Sequence, residues 1–172
     1  LLAERPGGVD GVRAAREADV LLINAGTLPS ATDTESEQRL RDLRSDTKVS
    51  AILHSGYPVR YWDHDLGPDA PRLFAVEGAP LAAEKDDETD GTEGGAVEAP
   101  GSEQGPDDER GTRDLTPDAG KALLGSSSAI SDDGAFVVAT WHTSAGHAIR
   151  SHLVRIDVAT GDLGSSAIRK FD

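Results

Sequence analysis

The stretch "AISDDGAFVVATWHTSAGHAIRSHLVRIDVATGD", residues 129–162, narrows the fold more than any other part of the chain. Two runs, "AFVVATWH" and "SHLVRIDV", are rich in β-branched and aromatic residues, which suit a pleated, half-buried surface. "TSAG" lies between them, and "SDDG" and "ATGD" bound them with the Asp-Gly and Thr-Gly chemistry of tight turns. Side chains on a strand alternate faces, so Val154, Ile156 and Val158 share one face and Leu153 lies on the other. This pattern predicts an antiparallel hairpin that turns at "TSAG". "SSAIRKF", which follows, is a candidate for a further strand.

The first eighty residues carry the same kind of signal. "ADVLLINA" is a short apolar run ending near Gly26 and reads as a buried strand. "VSAILHS", "PVRYW" and "PRLFAVE" read as a second, third and fourth strand. "DLGPDAP" separates the last two with one Gly and two Pro. "LPSATDTESEQRLRDLRSD" is the exception. Ser30 or Thr32 can cap a helix over about 33–45, with acidic residues in its first turn and Arg39, Arg41 and Arg44 towards its end, as the helix dipole favours. Leu40 and Leu43 give it a thin apolar face.

Between these parts lies "EKDDETDGTEGGAVEAPGSEQGPDDERGTRD", Glu84 to Asp114, which has almost no large apolar side chain. Such a segment buries too little surface to offset its ordering entropy and is expected to be a disordered loop or linker. The expected organisation is therefore a segment over 1–82 with one short helix, an acidic linker over 83–114, and a second segment over 115–172. The net charge of -14 is concentrated here: residues 83–118 hold 13 acidic and 3 basic side chains, leaving 18 acidic and 14 basic elsewhere. No clustered basic surface is visible, which argues against nucleic-acid binding. No apolar run approaches the roughly 18 residues of a membrane span. The chain has no cysteine, which removes thiolate catalysis, disulfides and Cys-ligated metal and fits a reducing, cytoplasmic setting.

Low helix content and short strands joined by Gly- and Asp-rich turns argue for an all-β fold. Both segments follow one plan: an apolar strand, a hairpin, then a strand ending near Gly. Repeats of about 40–50 residues with four strands each are the signature of propeller blades, so a partial β-propeller of about two blades is expected.

"ISDDGAFVVATW…HLVRIDVATGD" resembles the blade repeat of prolyl-oligopeptidase-type (S9) serine peptidases, in which a Ser-Pro-Asp-Gly turn precedes a strand and a later strand ends in Asp-x-x-Thr-Gly. Asp132 stands where Pro is usual. "PVRYWDHDLGPDAPRLFAVE" resembles the Arg-aromatic-Trp-Asp segment of the acylaminoacyl-peptidase and dipeptidyl-peptidase branch, carried here by Arg60, Trp62 and Asp63. Together these stretches cover about half of the chain. The resemblance implies a propeller that admits oligopeptides to an α/β-hydrolase domain of the same parent chain. That hydrolase would carry a Ser-Asp-His triad with its serine in G-x-S-x-G. No G-x-S-x-G occurs here; "GSSSA" (125–129) and "TSAGH" (143–147) do not fit, so no catalytic residue is assigned. The competing reading is a non-catalytic propeller of the TolB or WD-repeat kind that binds a ligand or protein.

Three residue groups invite a chemical reading. Asp63, His64 and Asp65 offer metal-type ligands, but strand neighbours alternate faces, so a strand end and its turn is the reading adopted. In it, Trp62 packs between blades and Asp63 accepts from turn amides or pairs with Arg60. His142, His147 and His152 are spaced by five, which does not orient three ligands at once; they read as hairpin histidines. Ser144 and His147 lack a third orienting residue and a strained elbow. The acidic segment reads as a solvated linker. No cofactor and no metal are assigned.

Overall fold

The computed structural model describes residues 3–54, 58, 60, 63, 66–78, 112–145 and 148–164. The protein is mostly β: two antiparallel four-stranded sheets and one short helix. The first sheet contains β1 (Gly11–Ala14), β2 (Val20–Thr27), β3 (Ala70–Glu77) and β4 (Thr112–Asp114), in that spatial order. The second contains β5 (Ser128–Ile130), β6 (Phe136–Ala145), β7 (Ala148–Asp157) and β8 (Leu163–Gly164), also in chain order. Helix α1 (Thr34–Asp46) lies in the β2–β3 connection.

Alternation along β3 fixes both faces of the first sheet. Leu73 and Ala75 point to one side with Leu22, and Phe74 and Val76 to the other with Ile23 and Ala25. The first set meets Val137, Ala139 and Ile156 of the second sheet and Val158 just after β7, with Leu115, Ala119 and Leu123 of the intervening chain, in one core. At about 25 cal/mol per Å² of apolar surface, this shared core is the main force holding the sheets together. It spans the segments expected over 1–82 and 115–172, which thus do not have separate interiors. The opposite face, around Phe74 and Val76, is covered in part by the N-terminal segment, from which Ala3 packs against it.

The two sheets repeat a local arrangement. Ala15–Asp19 joins β1 to β2, and Ser131–Ala135 joins β5 to β6; these turns touch, with Glu17 N donating to Asp132 O at 2.8 Å. A Cβ on Gly134 would come within 3.0 Å of Val20, so glycine permits that approach as well as the φ of +70° that the turn needs. Asp133 accepts from Ser131 Oγ and Ala135 N. At the end of β7, Asp157 accepts from Ala159 N, Thr160 N and Thr160 Oγ1. The Asp-x-x-Thr-Gly sequence is thus a self-contained hydrogen-bonded turn.

Several sequence expectations need correction. "VSAILHS" is not a strand over its described residues 49–54, and Leu53 is 96% exposed. The physical reason is that β2 is already paired on both edges, by β1 and β3. β1, with the short sequence "GVRA", supplies a pairing that its composition did not announce. The hairpin also runs further than "TSAG" indicated: β6 continues to Ala145 and β7 resumes at Ala148. The helix cap is Asp33, not Ser30 or Thr32; its carboxylate accepts from Ser36 N at 2.7 Å, and Ser36 Oγ accepts from Asp33 N in return. The acidic segment as far as residue 111, and "SSAIRKF" (165–171), lie outside the described residues. Its last three residues, Thr112–Asp114, form β4 against Phe74–Val76. They are held there because Arg72 binds Asp114 at 2.8 Å and Arg113 donates to Val158 and Ala159 carbonyl oxygens.

Candidate functional site

The residues singled out in the sequence do not assemble into a centre among the described residues. Arg60 and Asp63 are exposed, while Trp62, His64 and Asp65 lie outside the description. His142 and His152 sit on adjacent strands but one register step apart, since Trp141 faces His152 and His142 faces Ser151. They therefore project from opposite faces, His142 Nδ1 lying 2.9 Å from Ser151 Oγ and His152 Nε2 lying 3.1 Å from Thr143 Oγ1. His147 is outside the description. Ser144 is an exposed residue near the end of β6, paired with Ile149, not an elbow. Among the described residues, no group of three His, Cys, Asp or Glu is placed to hold a metal ion. No described helix is long and apolar enough to cross a membrane.

The polar centre that does form was not singled out. It lies where α1, the N-terminal segment and β3 meet. Glu37, in the first turn of α1, is fully buried. It accepts from Arg5 Nη2 at 3.2 Å, from Arg41 Nη2 at 2.7 Å and from Arg41 Nε at 3.2 Å. Arg41 reaches on to Asp69 at 2.8 Å and to the Gly26 carbonyl at 3.1 Å. Although burial opposes its charge, the hydrogen bonds to Glu37 and Asp69 hold the Arg41 guanidinium above its ordinary pKa. Arg5 moves the other way: burial lowers its pKa, outweighing the attraction of Glu37 and Asp114. Its guanidinium lies 4.0 Å from the centroid of the Phe74 ring, a cation–π contact.

Arg5 and Phe74 border a cavity of about 250 Å³, with Thr27 at the end of β2, Arg72 on β3, Asp114 and Asp33 at the start of α1 also in its walls. Three buried polar atoms in its wall residues have no hydrogen-bond partner: Arg5 Nε, Arg72 Nε and Thr27 Oγ1. A larger groove of about 690 Å³ lies on the other flank of α1, with Leu28, Leu40, Leu43 and Leu53 among its walls. Lys121 borders it, donating to the Pro58 carbonyl oxygen with its Nζ 3.3 Å from His54 Nδ1; burial lowers its pKa.

In the sequence, Arg5, Glu37, Arg41 and Arg72 look like surface charges. Two signals were available. Glu37 and Arg41 stand at i,i+4 on the helix. Arg72 is in phase with Phe74 and Val76 on a strand that is apolar up to its last residue, Glu77, and a cation on that face needs a partner.

The fold defines an all-β protein, two face-packed four-stranded antiparallel sheets with one helical excursion. No protein-family model, curated protein or solved structure matches the chain.

Proposed function

We propose that the chain is two neighbouring blades of a β-propeller from a prolyl-oligopeptidase-type serine peptidase. Its work there is to pack against the rest of the propeller and restrict access of oligopeptides to a hydrolase domain of the same parent chain. The observation that carries this reading is the repeated geometry. Two four-stranded meanders follow one another in sequence and pack face to face, with their first turns bonded side by side through Glu17 and Asp132. Successive propeller blades stack in this manner. The Asp-x-x-Thr-Gly turn at Asp157 and the Ser131–Gly134 turn before β6 add local support. Chemistry is assigned to the parent's hydrolase domain and to no residue of this chain.

The parent reading frame tests this directly. It should continue with further S-x-D-G and D-x-x-T-G repeats, followed by an α/β pattern carrying G-x-S-x-G, then Asp, then His. The parent protein should then be labelled on that serine by a fluorophosphonate probe. Blades without such a serine would overturn the peptidase assignment in favour of the binding propeller.

A further inference from the structure

The groove on the other flank of α1, about 690 Å³, has the size and make-up of a small-molecule site. Such sites run to about 300–1,000 Å³ and are mostly apolar, with a few polar groups that orient the ligand. The apolar walls come from three parts of the chain: Leu28 just after β2, Leu40 and Leu43 on α1, and Ile52 in the segment that follows it. Leu28 is buried, but Leu43 is 56% exposed and Ile52 36%, so covering them would remove apolar surface from water.

The charges on the walls say what else the occupant carries. Asp69 is the carboxylate there, and it is already held by Arg41 Nη2 at 2.8 Å. Arg44 is half-buried and makes one hydrogen bond, from Nη2 to the Ala51 carbonyl oxygen at 3.3 Å. Among the described residues it has no carboxylate partner, and its Nε and Nη1 are not closed off from solvent. Lys121 borders the same groove and adds a second positive charge. A cationic or uncharged head would leave the Arg44 guanidinium without an anion, whereas a carboxylate gives it a charge-assisted hydrogen bond. Asp69 in the same wall makes one negative charge a better match than two.

We infer that this groove binds a small amphipathic monoanion, its apolar body against Leu28, Leu40, Leu43 and Ile52 and its head at Arg44 and Lys121. The inference goes beyond the propeller reading and does not depend on it. Its test is an NMR titration of the full chain, with ¹³C-labelled Leu and Ile methyls and ¹⁵N-labelled arginine, at constant ionic strength. Sodium octanoate, below its micelle concentration, should move the Leu40, Leu43 and Ile52 methyl signals and the Arg44 Nε–Hε signal saturably. Octanol should bind about tenfold more weakly, the scale of one hydrogen bond to a charged group, and octyltrimethylammonium more weakly still. Arg44→Gln should weaken octanoate about tenfold and leave octanol unchanged. Leu43→Asp, at an exposed position, should weaken both, and Leu153→Asp, exposed on β7, should weaken neither. The backbone amide spectrum reports whether each variant is folded, and the comparison of octanoate with octanol needs no variant. No saturable movement, movement centred away from these residues, octanol or the ammonium binding as tightly as octanoate, or a folded Arg44→Gln with unaltered octanoate affinity would each overturn it.

Discussion

Replacing Glu37 by Gln tests whether the buried carboxylate organises the junction of α1, the N-terminal segment and β3. Glu37 accepts three hydrogen bonds from two guanidinium groups, at 2.7, 3.2 and 3.2 Å, and is fully buried. Gln keeps one oxygen but turns an N–H₂ group towards one of the arginines and removes the negative charge between them. Breaking a buried ion pair from one side costs about 3–5 kcal/mol, because the remaining charge stays desolvated. Arg41 retains Asp69 and the Gly26 carbonyl, and Arg5 retains the Thr34 hydroxyl and the Phe74 ring, so the cost should fall near the lower end, about 3 kcal/mol. For a domain of this size that corresponds to a fall in Tm on the order of 10 °C. Calorimetry of Glu37→Gln, with Glu35→Gln as an exposed control in the same turn, measures it. A fall below about 3 °C would refute the argument, since an exposed pair contributes about that little.

Gly7→Ala should dislodge the N-terminal segment: its Cβ would lie 2.1 Å from the Gly26 carbonyl oxygen and 2.4 Å from Arg41 Nη2, and the carbonyl is backbone with little room to yield. Glutamyl endopeptidase should then cut after the exposed Glu4 faster than in the parent sequence; unchanged cleavage would show that the segment accommodates the methyl group. Leu22→Ala in the first sheet should destabilise by about 3 kcal/mol and shift the melting of the second sheet equally, because Leu22 shares a core with Val137 and Ile156; a Trp141 indole NMR signal that melts at its original temperature would contradict a shared core. Hydrogen bonds hold the carboxyls of Asp33, Asp133 and Asp157 below the ordinary aspartate pKa, led by Ser36 N for Asp33, Ser131 Oγ for Asp133 and Thr160 N for Asp157. A depressed folded pKa gives stability that is present above the unfolded value near ~4 and lost as pH falls through the folded value. Denaturation midpoints should therefore decline below about pH 4, and Asp157→Asn should flatten part of that decline; an unaltered acid limb would exclude Asp157 from it.

What the sequence disclosed follows from where the information is local. The strand β2, the strand β3 and the hairpin of β6 and β7 were legible because alternation and turn chemistry are properties of contiguous residues. Val154, Ile156 and Val158 do share the buried face, and Leu153 is exposed. "VSAILHS" has the composition of a strand, but both places beside β2 are taken, one by β3 and the other by "GVRA", whose residues say little on their own. The cap moved to Asp33 because Ser36 can answer it, a choice between neighbouring oxygens that composition leaves open. The polar junction was illegible for a different reason. Arg5, Glu37, Asp69 and Arg72 are scattered along the sequence, and beyond the i,i+4 pair of Glu37 with Arg41 and the in-phase place of Arg72 on β3, no contiguous pattern shows that the fold brings them together.

The meander order of the first sheet has a consequence for how such a chain can diversify. Strands in a meander run alternately up and down, so the connection bearing α1 leaves one rim of the sheet, while the chain departs after Gly78 and returns at Thr112 on the other. Register is fixed inside the strands, by pairs such as Leu22 with Ala75 and Ala75 with Arg113. Length and composition can therefore drift at either rim without propagating to the opposite one. The two rims are separate evolutionary compartments, free to acquire different surfaces over an unaltered framework.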